Sequence, residues 1–210
     1  MVVGSRRGRP TQAEARQLHQ KLRKAAVATF LKYGYDGTTM DAIARAAGIT
    51  RRTLYSRYPD KRSVFLDVIP RALARRTERG QSPDTDDEDL HSALISLGRG
   101  ALARALDPDT LRLTRIAMTE SARFPEFAVS AQAMTWSARQ REVMDLLRCH
   151  QEAGNIQVDD IEVAAGHFLA MIELAPARLA DFGIFRTDEE EERHLQHAVN
   201  LFLRGILPRE

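Results

Sequence analysis

The stretch 37–61, GTTMDAIARAAGITRRTLYSRYPDK, leaves the chain few folds to choose from. Thr39 is a good N-cap, because its hydroxyl can accept a bond from a free N–H of the first helical turn. Asp41 follows in that turn, where the helix dipole favours negative charge. Met40, Ile43 and Ala47 share one face at helical spacing, so this helix can pack inward. Gly48 stands where the helix must stop, since a glycine enters the left-handed region without a Cβ clash. Thr50 is a second N-cap, opening a helix over 51–57 that turns Leu54 and Tyr58 to a core. Pro59 ends it, because the residue before a proline is pushed out of the α region. Asp60 caps a further helix that begins at Lys61. Two short helices about a tight glycine turn, with paired arginines opening the second, have the layout of a helix-turn-helix. Such a motif sets its second helix in the DNA major groove.

The outward residues of the second helix are Arg51, Arg52, Thr53, Tyr55 and Arg57, with Thr50 at its tip. Arginine can bond both acceptors of a guanine edge, and threonine can bond an edge or touch a thymine methyl. Tyrosine, arginine and lysine also hold phosphates, which sets register without reading sequence. Any short amphipathic pair about a glycine shares this layout; the distribution of charge does not follow from it. The net charge of the whole chain is +2, yet residues 1–79 hold 18 Lys/Arg against 6 Asp/Glu. The remaining 13 basic and 23 acidic residues lie in 80–210. A head of +12 suits a phosphate backbone, and a body of −10 is repelled by it. Residues 1–10, MVVGSRRGRP, have no apolar face and read as a basic arm carrying Arg6, Arg7 and Arg9. Arg7-Gly8-Arg9-Pro10 resembles the core of an AT-hook, which lays arginines in narrow A·T minor grooves. A tail giving only non-specific attraction has the same composition. The N-terminus lacks the apolar stretch of a signal peptide.

At 210 residues and 43% hydrophobic content, one small head and one larger domain are expected. The organisation reads as an arm (1–10), a DNA-binding domain (11–60), a connecting helix (61–79) and a C-terminal domain (80–210). No apolar run approaches the ~20 residues that cross a bilayer, so no membrane partner is expected. Cys149 is the only cysteine, which excludes an intrachain disulfide and suits the reducing cytoplasm. It reads as a buried packing residue. A first helix opens at Thr11 with a capping box to Glu14, carries Leu18, Leu22, Ala25, Ala26, Thr29, Phe30 and Tyr33, and closes at Gly34. The helix over 61–79 has Val64, Phe65 and Val68 inside, with Pro70 predicting a kink. Residues 80–89, GQSPDTDDED, form an acidic linker. Further helices are predicted over 90–105, 108–122, 125–153, 159–182 (kinked at Pro176) and 187–206. No strand is expected, so the fold class is all-α: a three-helix head plus a helical C-terminal domain. Leu195, Ala198, Val199, Phe202 and Ile206 form one stripe. Facing out it would be an oligomer interface; facing in it would be core.

Phe30, Gly34, Tyr35, Thr38, Thr39, Ile43, Ala44, Ala47, Gly48, Thr53, Leu54, Tyr55, Tyr58, Lys61 and Phe65, in this order and spacing, resemble the head of the TetR family of bacterial transcriptional regulators. The resemblance covers about residues 12–66. Arg52 departs from the small residue common there, and Tyr58 from the more usual Phe. The resemblance implies a homodimer on a palindromic double-stranded DNA operator, acting as a repressor in the cytoplasm. It implies phosphate contacts from Thr39, Tyr55 and Lys61, and base reading by Arg51, Arg52 and Thr53. It also implies a C-terminal domain that binds a small-molecule effector and dimerises through its last two helices, here about 159–182 and 187–206. On that footing Phe168, Leu195, Val199, Phe202 and Ile206 are interface candidates. Ser121-Ala-Arg-Phe-Pro-Glu126 resembles the AefR-like C-terminal subgroup. Candidate pocket residues are Met118, Phe124, Phe127, Met134, Trp136, His167, Phe168 and Met171, although aromatic and Met sets are more often plain core. An effector would act by shifting the connecting helix and so the spacing of two heads.

Two other classes of function share some of these features. His194 and His197, near Glu190 and Glu191, superficially suggest a metal site, but an exposed helix face explains them. No Ser/His/Asp set, P-loop or nucleotide fingerprint is evident, so no enzyme, metal or cofactor is expected. An architectural, ligand-blind DNA-binding protein would share the head and lack an effector pocket.

Overall fold

The structure, a computed structural model, describes residues 12–77 and 89–207, with side chains for all of these except 75–77 and 127–138. All regular structure among them is helical: α1 (Gln12–Gly37), α2 (Met40–Ala47), α3 (Arg51–Tyr55), α4 (Lys61–Thr77), α5 (Leu90–Ala105), α6 (Pro108–Ser121), α7 (Pro125–Glu152), α8 (Ile161–Asp181) and α9 (Asp188–Ile206). The chain forms two compact units that divide between Val68 and Ile69, inside α4. The arm with Arg6, Arg7 and Arg9, and the linker up to residue 88, lie outside the described residues.

In the first unit, Leu22, Ala26, Thr29 and Phe30 bury one face of α1 at helical spacing. Gly34 then takes φ 68° and ψ −176°, which breaks the helix and turns Tyr35 inward. Phe30, Tyr35 and Phe65 form a ring cluster: Phe30 meets Phe65 edge-on at 5.3 Å, and Tyr35 meets it at 5.0 Å. The buried Thr38 hydroxyl donates to the Gly34 carbonyl at 2.6 Å and so ties down the exit of the break. A Cβ on Gly34 would meet nothing within 4 Å, so only the backbone conformation demands glycine there. That conformation is almost closed to other residues, and Gly34→Ala is expected to destabilise the head by about 1–3 kcal/mol. Thermal melting followed by circular dichroism checks this; an unchanged melting temperature would refute the strain.

In the second unit, α5, α7, α8 and α9 share one core that includes Leu94, Leu147, Phe168, Ile172, Leu195 and Val199. Side-chain caps set the helix starts: Asp89 on α5, Asp107 on α6 and Asp160 on α8. Thr187 and Glu190 close a reciprocal capping box on α9. Gly98 lets α5 approach closely, because a Cβ there would fall 2.6 Å from Leu195 Cδ1.

Several expectations are corrected by this arrangement. Leu195, Val199, Phe202 and Ile206 point inward, and Phe168 is fully buried beside Phe202 at 5.1 Å. That stripe therefore belongs to the core of the second unit, the inward of its two alternatives. Cys149 is exposed, not packed. The inner stripe of α7 is Val143, Leu146 and Leu147, and two residues beyond Leu147 is the opposite side of a helix. His167 is exposed for the same reason, two residues after the buried Ala165. Contrary to the reading of short apolar runs, α8 is long and apolar enough by composition to span a bilayer, at a mean hydropathy of 1.2. Its Ala165, Phe168, Leu169, Ile172, Pro176 and Ala180 are instead buried against protein.

Candidate nucleic-acid interface

The site is built by caps. Thr39 Oγ1 accepts the Ala42 N–H at 3.1 Å and starts α2. Gly48, at φ 63° and ψ 37°, ends it. Its N–H donates to the Arg45 carbonyl at 3.1 Å and the Ile49 N–H to the Ala44 carbonyl at 3.0 Å, a Schellman closure. Thr50 Oγ1 then accepts the Thr53 N–H at 3.1 Å, which starts α3 three residues after the glycine. Leu54 is fully buried and anchors α3 on its inner side. Regular helix stops at Tyr55, but Arg57 and Tyr58 still bond back to the Leu54 carbonyl at 3.0 Å, so Arg57 stays on the turn.

The predicted DNA-facing residues lie together on this outward side. Arg51, Arg52 and Arg57 are exposed, and Tyr55 is 50% exposed despite its ring. The Arg52 guanidinium has no partner among the described residues, whereas Arg51 pairs with Asp41 of α2. Thr53 is half-buried and shares a 2.9 Å hydroxyl contact with Thr50, so both hydroxyls are held in place. Thr39 is exposed at the α2 start. Lys61 is turned back: its ammonium donates to the Tyr35 carbonyl at 2.7 Å and lies 4.4 Å over the Tyr35 ring. A second bond, to the Asp36 carbonyl at 3.3 Å, still leaves one of the three lysine donors open, so Lys61 can hold a phosphate from this position.

A supporting network went unread in the sequence. The Tyr58 hydroxyl donates to Asp67 of α4 at 2.5 Å, and Arg23 of α1 donates to the same carboxylate at 3.3 Å. His19 Nε2 sits 3.2 Å from the Tyr58 oxygen; because the phenol proton is committed to Asp67, the imidazole is the donor. Burial, reinforced by the Asp67 hydrogen bond, pushes the Tyr58 phenol up to about 12. Burial first, then the Arg23 charge, holds His19 below its ordinary value. These bonds fix Tyr58, three residues past the end of α3, and their partners come from three separated segments.

Phe124 and Phe168 are buried, Met171 is partly buried against the second unit's core, and Met118 is 64% exposed. The side chains of Phe127, Met134 and Trp136 lie outside the described residues. A polar depression of 410 Å³ runs between α5 and α9, lined by His91, Ser92, Ile95, Ser96, Arg99 and Gln196, none of them predicted. No group of three His, Cys, Asp or Glu among the described residues could hold a metal. His194 Nε2 instead lies 3.2 Å from the Ile172 carbonyl.

Residues 22–68 match the family model for bacterial regulatory proteins of the tetR family. Residues 92–205 match the model for the C-terminal domain of AefR-like transcriptional repressors. A solved candidate TetR-family transcriptional regulator from Mesorhizobium loti MAFF303099 superposes with a TM-score of 0.85 at 25% identity, over 95% of this chain and 100% of that one. The flavonoid-responsive regulator FrrA superposes at 0.77 with 28% identity, over 92% and 99%. An uncharacterized HTH-type transcriptional regulator of Mycobacterium tuberculosis, Rv2250c, is 37% identical over 54 residues, which are 26% of this chain and 29% of that protein. With one model matched across its head and another across most of its second unit, the chain belongs to the TetR family of helix-turn-helix transcriptional regulators.

Proposed function

We propose that the protein is a ligand-responsive repressor that binds a palindromic operator as a homodimer. The observation that carries this reading is the doubly capped α3, whose outward side bears Arg51, Arg52, Thr53, Tyr55 and Arg57 within a basic head. Arg51, Arg52 and Thr53 would read base edges, while Thr39, Thr50, Tyr55, Arg57 and Lys61 would set register on phosphates. Two such helices fit successive major grooves only when held roughly 34–36 Å apart. An effector that binds better to another spacing would therefore release DNA, with α4 as the connecting lever. The flavonoid-responsive FrrA, 28% identical, supports control by a small molecule.

A different surface supports the dimer. On α8, Val163 and Leu174 are exposed and eleven residues apart, close to three full turns, so they share one outward face with His167. Leu201 of α9 is also exposed, as are Phe182, Ile184 and Phe185 in the connection between the two helices. Apolar exposure of this kind on two adjacent helices is characteristic of an interaction surface. The double substitution Leu174→Glu with Leu201→Glu is expected to give a folded monomer and to abolish tight operator binding. Sedimentation velocity at micromolar concentration checks it; a wild-type chain that sediments as a monomer removes the dimer altogether.

Mapping bound sites across the genome, followed by gel shift on the recovered sequence, tests the whole reading. An inverted repeat is expected. Log affinity should fall steeply and linearly with log salt, because released counterions drive association. Recovery of sites with no common sequence would favour an architectural role.

A further inference from the structure

The second unit holds a charged group in its interior that serves neither the fold's caps nor the DNA-facing side. Arg139 of α7 pairs with Glu173 of α8 at 3.0 Å, both largely withdrawn from water. Arg104 of α5 lies close enough to feel both charges, and Glu142 of α7 feels Arg104 and Arg139. Arg104 and Glu142, however, are not bonded to each other, and Arg104 Nε is buried with no acceptor among the described residues. A guanidinium N–H cut off from both water and an acceptor is costly, and native proteins leave few such groups. Burial also lifts the carboxyls of Glu142 and Glu173 above the ordinary range.

We propose that Arg104 anchors the carboxylate of an amphipathic organic acid bound between α5, α7 and α8. This rests on the reading that the second unit takes a small-molecule effector, and it names the chemical class. A planar carboxylate matches the guanidinium fork with two parallel hydrogen bonds. Glu173 is already paired with Arg139, and the remaining Glu142 charge disfavours a dianion such as sulfate more than a singly charged carboxylate. The rest of the ligand is apolar. On the neighbouring faces of these helices Ala101, Val143, Leu146, Leu169 and Ile172 belong to the buried core and would offer an acyl chain or a ring nothing polar to bond. Glu142 sets selectivity by like-charge repulsion, so the site favours acids that contribute enough apolar surface to overcome it.

The test uses the full chain and a thermal-shift series of sodium octanoate and sodium benzoate, with octanamide, benzamide and sodium chloride at matched ionic strength. The acids are expected to raise the melting temperature by about 2–4 °C at concentrations well above their Kd, with no shift from the amides or chloride. Arg104→Met should abolish the shift, and Arg104→Lys should retain only part of it. Glu142→Gln, which removes a partly exposed charge, should stay folded and bind the acids about 3–10-fold more tightly. Amides acting as well as acids, chloride reproducing the shift, no response to any acid, or an undiminished shift in Arg104→Met would each overturn the proposal. Should Arg104→Met not fold, an unchanged acid affinity in Glu142→Gln overturns it. Operator release is read separately by gel shift. Acids that bind through Arg104 without releasing DNA refute control by effector and leave the site standing. Release by the amides leaves control standing and removes the Arg104 anchor.

Discussion

Phe65→Ala is expected to destabilise the head by about 3–5 kcal/mol, the range for deleting a fully buried aromatic ring. Phe65 has no exposed surface, and its ring is the edge that both Phe30 and Tyr35 meet. Removing it leaves a cavity between α1 and α4, with neighbours on both helices unable to collapse into it. Those neighbours are themselves pinned: Tyr35 by the break at Gly34, and α4 by the Asp67 contacts to Arg23 and Tyr58. The loss should be confined to the first unit, since the core of α5, α7, α8 and α9 contains none of these residues. Calorimetry is expected to resolve a head transition at lower temperature ahead of an unshifted second one. A single transition moved as a whole would mean that the two units unfold as one.

Arg52→Ala should leave helicity untouched and weaken operator binding by about 1–3 kcal/mol per half-site, the value of one arginine reading a base edge. With two half-sites, this approaches loss of specific binding. Arg52 is exposed and its guanidinium makes no contact among the described residues, so the change removes nothing from the fold. Tyr55→Ala should also weaken binding, but evenly across DNA sequences, because a phosphate contact sets register without reading bases. Competition between the operator and a scrambled duplex separates the two roles. An Arg52→Ala protein with unchanged preference for the operator would reassign Arg52 to the backbone.

Local punctuation explains which parts of the fold were legible. Thr39, Thr50, Asp60, Asp89, Asp107, Asp160 and Thr187 each cap with their own side chains, so helix starts could be read to within a residue or two. Gly34 and Gly48 mark two stops by positive φ. Choices that depend on distant partners were not legible. Asp67 reads as an ordinary polar residue beside an apolar stripe until Tyr58 and Arg23 are brought to it. Arg139 and Glu173 are 34 positions apart, and nothing near either foretells a buried pair. The amphipathic stripe of α9 specified a face but not what covers it; residues of α5 and α8 share its core. Cys149 reads as a packing residue by type, but helical phase turns it outward.

The ion pair between Arg51 and Asp41 joins the two helices of the reading head across its solvent side. An exposed pair of this kind contributes no more than about 1 kcal/mol to folding. On the proposed function its weight would fall instead on search. A guanidinium already satisfied by its own chain gains little from the first phosphate it passes, so random duplex would hold the protein more loosely. Only a base edge offering two acceptors outbids the carboxylate. Asp41 would then act as a decoy that keeps the protein sliding, and Asp41→Asn should lengthen its stay on non-operator DNA while leaving the fold as it is.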